Sequence, residues 1–286
     1  MSEKGKRRFV DEVFQKTGLY FNIISQELEN FYLKVALTGK YVDSKEPVLL
    51  INIGGGSTEL ATIFGKDTIE VNNIDLGVGT ILTKFTNINQ SLSRNSLEEI
   101  TEFVDLRLPD IKNKVKIAFY SGGELNYMQL VGYKLKRNNI FSDKDHPSYI
   151  GFADFAKKNL EVFNKIKLNE LEKLMPDNPT WMHGARACSA IAQAICKKYG
   201  IEKIIPSNSN LIDGVVRQEV GSVTLSGSFR KHLEYIIKIR KIIIDSGIDV
   251  LSPRFTEPKN PGEEFVVFSG EEGLSPLDLE RRHLDS

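Results

Sequence analysis

The run Val48-Leu49-Leu50-Ile51-Asn52-Ile53, followed at once by Gly54-Gly55-Gly56-Ser57, is the feature that most restricts this chain. An apolar stretch with no polar alternation describes a strand buried on both faces, as in a sheet covered by other elements. Residues 59–64 read as the returning strand, Gly65-Lys66-Asp67 as a second turn and residues 68–74 as a third strand, so the segment is an antiparallel meander. Consecutive glycines let the backbone turn tightly and gather its N–H groups on one side, and such concave arrays bind anions, phosphate above all. Ser57 and Thr58 add hydroxyl donors. Glu59 adds a carboxylate suited to orienting a water or holding a metal. The competing reading is a plain hairpin turn. A Walker loop is excluded, because no lysine follows and the next element is a strand.

Helical spacing marks residues 6–17, closed by Gly18, and 25–39, with Ser25 as N-cap and Gly39 as terminator. Residues 19–24 read as a strand between them, 76–85 as a loop entering a helix, 95–105 as a helix and 115–120 as a buried strand ending in Ser121-Gly122-Gly123. Residues 151–174 read as helical, 184–199 as an alanine-rich packed helix ended by Gly200, and 201–205 as a strand. His183 and Arg186 are expected to cap that helix at the surface, and the basic stretch 134–139 to be a solvated face.

Composition narrows the function. A length of 286 residues fits about two domains. Lys plus Arg and Asp plus Glu both number 38, and zero net charge argues against a dedicated nucleic-acid binder. Cys188 and Cys196, eight apart in a helical stretch, are poorly placed for a disulfide, and four histidines without a CxxC suggest no zinc site. No apolar run reaches the ~18 residues of a membrane helix, and the N-terminus lacks the apolar core of a signal peptide. The reading is a cytoplasmic protein with no membrane partner and no specific nucleic-acid partner.

The segment 51–60, INIGGGSTEL, resembles the second phosphate loop of the exopolyphosphatase/guanosine pentaphosphate phosphatase (Ppx/GppA) family of the actin-like ATPase superfamily. Residues 17–30, 73–85, 118–127 and 200–216 are similar to further family segments, so the resemblance spans about residues 6–217. It implies an α/β, actin-like (ribonuclease H-like) fold with a mixed sheet and an antiparallel phosphate hairpin. It implies hydrolysis of a terminal phosphate from polyphosphate or a guanosine pentaphosphate-type nucleotide. Glu29 matches the family's general base, with Glu27 as a rival, and Glu59 the residue that positions the attacking water. Gly54, Gly55, Gly56, Ser57 and Thr58 match the phosphate cradle, joined by the loops at Gly77, Gly79, Gly122 and Gly123, although Glu124 would repel phosphate. Mg2+ is the implied cofactor, but Asn52 stands where the family has Asp, a neutral and weaker ligand beside Glu59. Nothing before residue 18 resembles the family's first phosphate loop, so a fragment, split protein or degenerate homologue is expected.

Residues 223–236 joined to 248–255 are similar to the opening of a nucleoside 2-deoxyribosyltransferase-like domain, a partial Rossmann-like βαβ segment. Ser226, Gly227, Ser228 and Phe229 would line its nucleoside pocket, and its outer strand edge would invite a homodimer. The domain reading is therefore 1–46 as a remnant of a first actin-like domain, 47–219 as the second, and 222–286 as the deoxyribosyltransferase-like part. Three functions compete: an exopolyphosphatase-like phosphohydrolase, a non-catalytic phosphate or nucleotide sensor, and nucleoside N-glycosidic or deoxyribosyl transfer chemistry in the C-terminal segment.

Overall fold

The computed structural model describes residues 3–18, 22–24, 26–38, 46–65, 67–140, 146–219, 254–256 and 265–269. The chain begins with α1 (Glu3–Thr17), β1 (Asn22–Ile24) and α2 (Gln26–Thr38), then the meander β2 (Val48–Ile53), β3 (Thr58–Phe64) and β4 (Asp67–Ile74). Next come α3 (Val78–Lys84), α4 (Leu97–Asp105), β5 (Ile117–Ser121), α5 (Glu124–Val131), β6 (Lys136–Arg137) and β7 (Ser148–Gly151). Then follow α6 (Phe152–Asn164), α7 (Leu168–Leu174), a 3-10 turn (Pro179–His183), α8 (Ala185–Tyr199), β8 (Lys203–Pro206), α9 (Leu211–Glu219), β9 (Arg254–Thr256) and β10 (Phe265–Ser269). They divide into two compact units, Leu37–Ser209 and the combination of Met1–Ala36 with Asn210–Ser286.

The unit Leu37–Ser209 is built on a seven-stranded sheet of order β4-β3-β2-β5-β8-β7-β6. β4, β3 and β2 are antiparallel, β2, β5 and β8 parallel, and β7 antiparallel to β8. The expected meander is present. β2 is central and covered on both faces, which is why it carries no polar alternation. Leu49 and Ile51 face a large core shared with Ala118, Tyr120 and the helices α4, α6 and α8. Val48 and Leu50 face a smaller cluster of Leu37, Ala61, Ile63, Phe119 and Ile205.

In the other unit, β10 pairs in parallel with β1 and antiparallel with β9, giving the order β1-β10-β9. Ile24, Tyr32 and Leu33 pack with Leu211 and Val215 of α9. The contact is close: a Cβ on Gly214 would lie 1.8 Å from the Tyr32 carbonyl oxygen, so only glycine fits. α1 ends as expected, at Gly18 with φ +74° and its amide on the Phe14 carbonyl at 2.8 Å. The strands expected at 222–227 and 248–252 and the helices expected at 230–246 and 275–286 lie outside the described residues.

The helical stretch expected over 151–174 is two helices. The Lys167 amide donates to the Glu170 carboxylate at 2.8 Å, starting a new helix after Asn164. Arg186 corrects the surface expectation, being fully buried. Its guanidinium donates to the carbonyls of Ile88 and Ile166, each at 2.8 Å, to Gln90 at 3.2 Å, and to Ser91 and Val162 at 3.4 Å. It thus ties the end of α6 to the 88–91 loop, satisfying carbonyls that no helix or strand could. The stretch 134–139 is largely exposed, as expected, with Asn138 the buried exception.

Arg186→Ala strands several of those carbonyls and is expected to destabilise the unit by about 3 kcal/mol or more. Urea unfolding of the full chain checks this, and a loss below about 0.5 kcal/mol would contradict the clamp.

Candidate functional site

Strand register assembles the centre of the site. Asn52 on β2 lies opposite Glu59 on β3 and Ser121 on β5. The Asn52 side-chain amide Nδ2 donates to Glu59 Oε2 at 2.6 Å, and the Ser57 hydroxyl donates to Glu59 Oε1 at 2.6 Å. The Ser121 Oγ lies 3.0 Å from Asn52 Oδ1 and 3.2 Å from the Ile51 carbonyl. Glu59 is 2% exposed and Asn52 8%. Because Nδ2 must face the acceptor-only carboxylate, the network fixes the Asn52 amide orientation. An aspartate at 52 would set two carboxylates face to face, and only a proton or a cation could reconcile them.

The Gly54–Ser57 turn closes through the Gly54 amide on the Ser57 carbonyl at 2.8 Å. None of its three glycines takes a positive φ, so the sequence argument from conformational freedom does not explain them. Close approach constrains the partner loop instead. The Val78 amide donates to the Gly54 carbonyl at 3.0 Å and the Gly79 amide to the Gly55 carbonyl at 2.7 Å. A Cβ on Gly77 would lie 2.6 Å from the Gly54 oxygen, and one on Gly79 would lie 2.9 Å from the Gly55 oxygen. The first turn of α3 therefore holds the hairpin carbonyls from behind. The Gly55 and Gly56 amides are exposed and make no hydrogen bond among the described residues. The hydroxyl of Thr58 is buried and donates to the Leu76 carbonyl at 2.6 Å, and the Gly77 amide donates to the Thr80 hydroxyl at 3.2 Å.

Gly122 and Gly123 have φ of +113° and +94°, and the Gly123 and Glu124 amides donate to the Ser207 carbonyl at 3.3 and 3.2 Å. Gly122 and Glu124 line a cleft of about 360 Å³ together with Gly54 and Gly55. Val78, Leu82, Trp181, His183 and Cys188 form much of the rest. Glu124 is 2% exposed, and burial raises its carboxyl to about 8, partly offset by Tyr120 and Cys188. It is therefore a neutral acid at pH 7, which removes the repulsion of phosphate expected from sequence. Burial also drives the Cys188 thiol far up, so it is not a nucleophile. The Glu172 carboxylate lies 2.7 Å from His183 Nε2, and the Asn89 amide donates to the His183 carbonyl at 2.6 Å.

Sequence reading missed the cleft and the raised Glu124 carboxyl, because the cleft lining comes from four separated stretches. Of the residues expected to act together, Asn52, Ser57 and Glu59 form one network, and Gly54, Gly55, Gly77 and Gly79 one hairpin-to-helix contact. Glu29 is fully buried on α2, in the unit formed by Met1–Ala36 and Asn210–Ser286. Ser226, Gly227, Ser228 and Phe229 lie outside the described residues.

Two outcomes follow from this geometry. Asn52→Asp is expected to lower the melting temperature without divalent cation and to recover it in millimolar Mg2+, since the new carboxylate pair needs a counter-charge. A thermal-shift titration checks it, and no Mg2+ effect would contradict it. For Glu124 the folded-state value of about 8 exceeds the ordinary 4.5, so folding is penalised increasingly as pH rises from about 4.5 to 8. Glu124→Gln is expected to match the wild type near pH 4 and to gain stability across that window, by up to about 1.4 kcal/mol per pH unit. Urea unfolding at pH 4, 6 and 8 measures it, and a pH-independent difference would refute it.

Known proteins place this arrangement. The Ppx/GppA phosphatase family model matches residues 4–222, ending before the expected deoxyribosyltransferase-like segment, which receives no support from it. A bifunctional 3-dehydroquinate synthase/phosphatase from Fusobacterium nucleatum is 27% identical over 222 residues, 75% of this chain. The chain spans only about a third, 32%, of that relative's length. An Aquifex aeolicus Ppx/GppA enzyme superposes with TM-score 0.58 at 22% identity, over 76% of this chain and 71% of that one. A Cytophaga hutchinsonii exopolyphosphatase gives TM-score 0.60 at 12% identity, over 77% and 72%. These likenesses show the fold, an actin-like (ribonuclease H-like) α/β architecture with a mixed sheet. With a family model covering most of its length, the chain belongs to the Ppx/GppA phosphatase family.

Proposed function

We propose that this chain is a phosphohydrolase that releases the terminal phosphate of a phosphoanhydride, either inorganic polyphosphate or a guanosine pentaphosphate-type nucleotide. The observation that carries this reading is the hairpin itself. The amides of the exposed residues Gly55 and Gly56 have no hydrogen-bond partner among the described residues, while the Gly54 and Gly55 carbonyls are bound to α3 and a buried carboxylate stands two residues beyond the turn. Such a turn offers donors to phosphate oxygens without a side chain in the way. Phosphoryl transfer needs this positioning and charge stabilisation more than covalent chemistry.

In the proposed step a water oxygen bonds to the terminal phosphorus as the bridging P–O bond breaks. The leaving phosphate keeps that electron pair, and the water proton passes to a carboxylate. Resemblance assigns the base to Glu29 and the orientation of the water to Glu59. Ser57 and Asn52 fix the Glu59 carboxylate, so its orientation is set before substrate arrives.

A divalent cation is expected from the family, but the residues around Glu59 do not fit a dedicated cation site. Only one carboxylate is present there, the Asn52 amide turns its N–H groups toward it, and the described residues contain no group of three or more His, Cys, Asp or Glu able to hold a metal. No step is therefore routed through a metal. The same saturation of Glu59 favours a second reading, a phosphate or nucleotide sensor that binds without turnover. Among the described residues no helix is long and apolar enough to cross a membrane.

Phosphate release from tripolyphosphate and from guanosine pentaphosphate by the purified chain tests the enzyme reading. Glu29→Gln and Glu59→Ala are each expected to lower the rate by about 10²-fold or more, the scale of a lost positioned base. Calorimetric binding of tripolyphosphate with no phosphate released would select the sensor.

A further inference from the structure

The cleft beside the Gly54–Ser57 turn lies wholly within Leu37–Ser209, so its walls belong to one compact unit. No lysine or arginine is among its lining residues, and its titratable side chains are Glu124, His183 and Cys188. Of these three only the imidazole can take a positive charge. An anion held by the Gly54 and Gly55 backbone therefore shares the cleft with a single side chain able to answer its charge. His183 is also firmly placed. It ends the 3-10 turn Pro179–His183, and the Asn89 side-chain amide donates to its carbonyl at 2.6 Å. The next residue, Gly184, packs closely on α3, where an added Cβ would lie 3.2 Å from Val78 Cγ1. Val78 is the residue whose amide holds the Gly54 carbonyl. The turn that carries His183 is thus seated on the same contact that shapes the hairpin.

The ring itself is oriented by α7. His183 Nε2 lies 2.7 Å from Glu172 Oε1, and the two side chains are 43% and 33% exposed. A pair as open to water as this adds little to stability. Its effect is on the imidazole. The carboxylate only accepts, so Nε2 carries a proton whether the ring is neutral or charged. Nδ1 makes no hydrogen bond among the described residues. In the neutral ring Nδ1 is an acceptor and offers nothing to a phosphate oxygen. In the protonated ring it is an N–H donor on a cation, the stronger kind of hydrogen bond to an anion.

We propose that His183, oriented by Glu172, is a proton-gated ligand for the anion held at the Gly54–Ser57 turn, so that anion affinity rises as the imidazole gains its proton. This rests on the phosphate reading of the hairpin and adds a regulation to it, on a side chain that sequence reading gave only a capping role. The charged and titratable groups on the elements around the ring are few. α7 brings Glu172, followed by Lys173, α5 brings Glu124, and α8 brings Cys188 and Arg186, while α3 brings Val78 and Leu82 to the cleft. Arg186 spends its guanidinium on backbone carbonyls, and burial keeps the Cys188 thiol neutral. Glu124, with its carboxyl raised to about 8, is the competing source of pH dependence, because its ionisation also weakens anion binding as pH rises. Glu124→Gln removes that titration and separates the two.

Histidine side chains as a class exchange their charge between about pH 5 and 8, so the full chain is titrated calorimetrically with tripolyphosphate at pH 5.5 and 8.0. The ligand takes up protons over that range too, so each variant is compared with the wild type at the same pH. His183→Gln is expected to bind about tenfold or more weakly at pH 5.5, the loss of one charge-assisted hydrogen bond, and like the wild type at pH 8.0. His183→Lys, which keeps a cation at both values, should match the wild type at pH 5.5 and bind about tenfold more tightly than it at pH 8.0. Glu172, as a positioning residue, acts only through the ring. Glu172→Gln should therefore weaken binding at pH 5.5 and change nothing further in the His183→Gln background. All these differences should persist in Glu124→Gln. Binding by His183→Gln equal to the wild type at pH 5.5 overturns the inference and leaves the hairpin reading intact. Equal weakening of the Gln and Lys variants at both pH values marks a merely structural side chain and overturns it as well. Differences that vanish in Glu124→Gln assign the titration to Glu124 and overturn it. No tripolyphosphate binding by the wild type at either pH overturns the hairpin reading and the inference with it.

Discussion

Two hydrogen bonds organise this site: the Val78 amide on the Gly54 carbonyl and the Gly79 amide on the Gly55 carbonyl. The first N–H groups of a helix have no partner within it, and the carbonyls of a tight turn have none within the hairpin. Each set satisfies the other here. With the Gly54 and Gly55 carbonyls committed to α3, the amides of the exposed Gly55 and Gly56 are left without a hydrogen-bond partner among the described residues. The contact is possible only because positions 77 and 79 lack side chains. The glycines of the second loop are thus as important to the turn as the turn's own.

A second constraint acts inside the sheet. Glu59 is buried at the end of β3, and a buried carboxylate needs donors or it takes up a proton. Asn52 and Ser57 supply donors to both its oxygens. Glu124, on the cleft side, is hydrogen-bonded by Tyr120 and Cys188, but burial outweighs them and raises its carboxyl to about 8. Glu124 borders a largely apolar cleft, and Glu59 stands beside the glycine turn.

Much of this was legible beforehand. The unalternating β2, the glycine turn and the meander followed from hydrophobic pattern and turn chemistry, and the helix ends at Gly18 and Gly200 from the need for a left-handed residue at a helix terminus. Arg186 was misread as a surface group because a single arginine in an alanine-rich stretch carries no local sign of burial. Its acceptors come from Ile88, Gln90, Ser91, Val162 and Ile166, up to 98 positions away. The break after Asn164 was missed because the lysine-rich residues on either side suit either one helix or two, and the side chain of Glu170 decides it.

By itself the sequence determined the local order of strands and helices, the place of the phosphate turn and the family resemblance, since all of these are written in contiguous residues. Tertiary structure alone decided that Asn52, Glu59 and Ser121 meet, because register across three strands brings together positions as far as 69 residues apart. It alone decided that Glu124 is neutral and borders a cleft with Trp181, because protonation depends on the water and charges removed from around a group. That environment is a property of packing, and no residue carries it in its own identity.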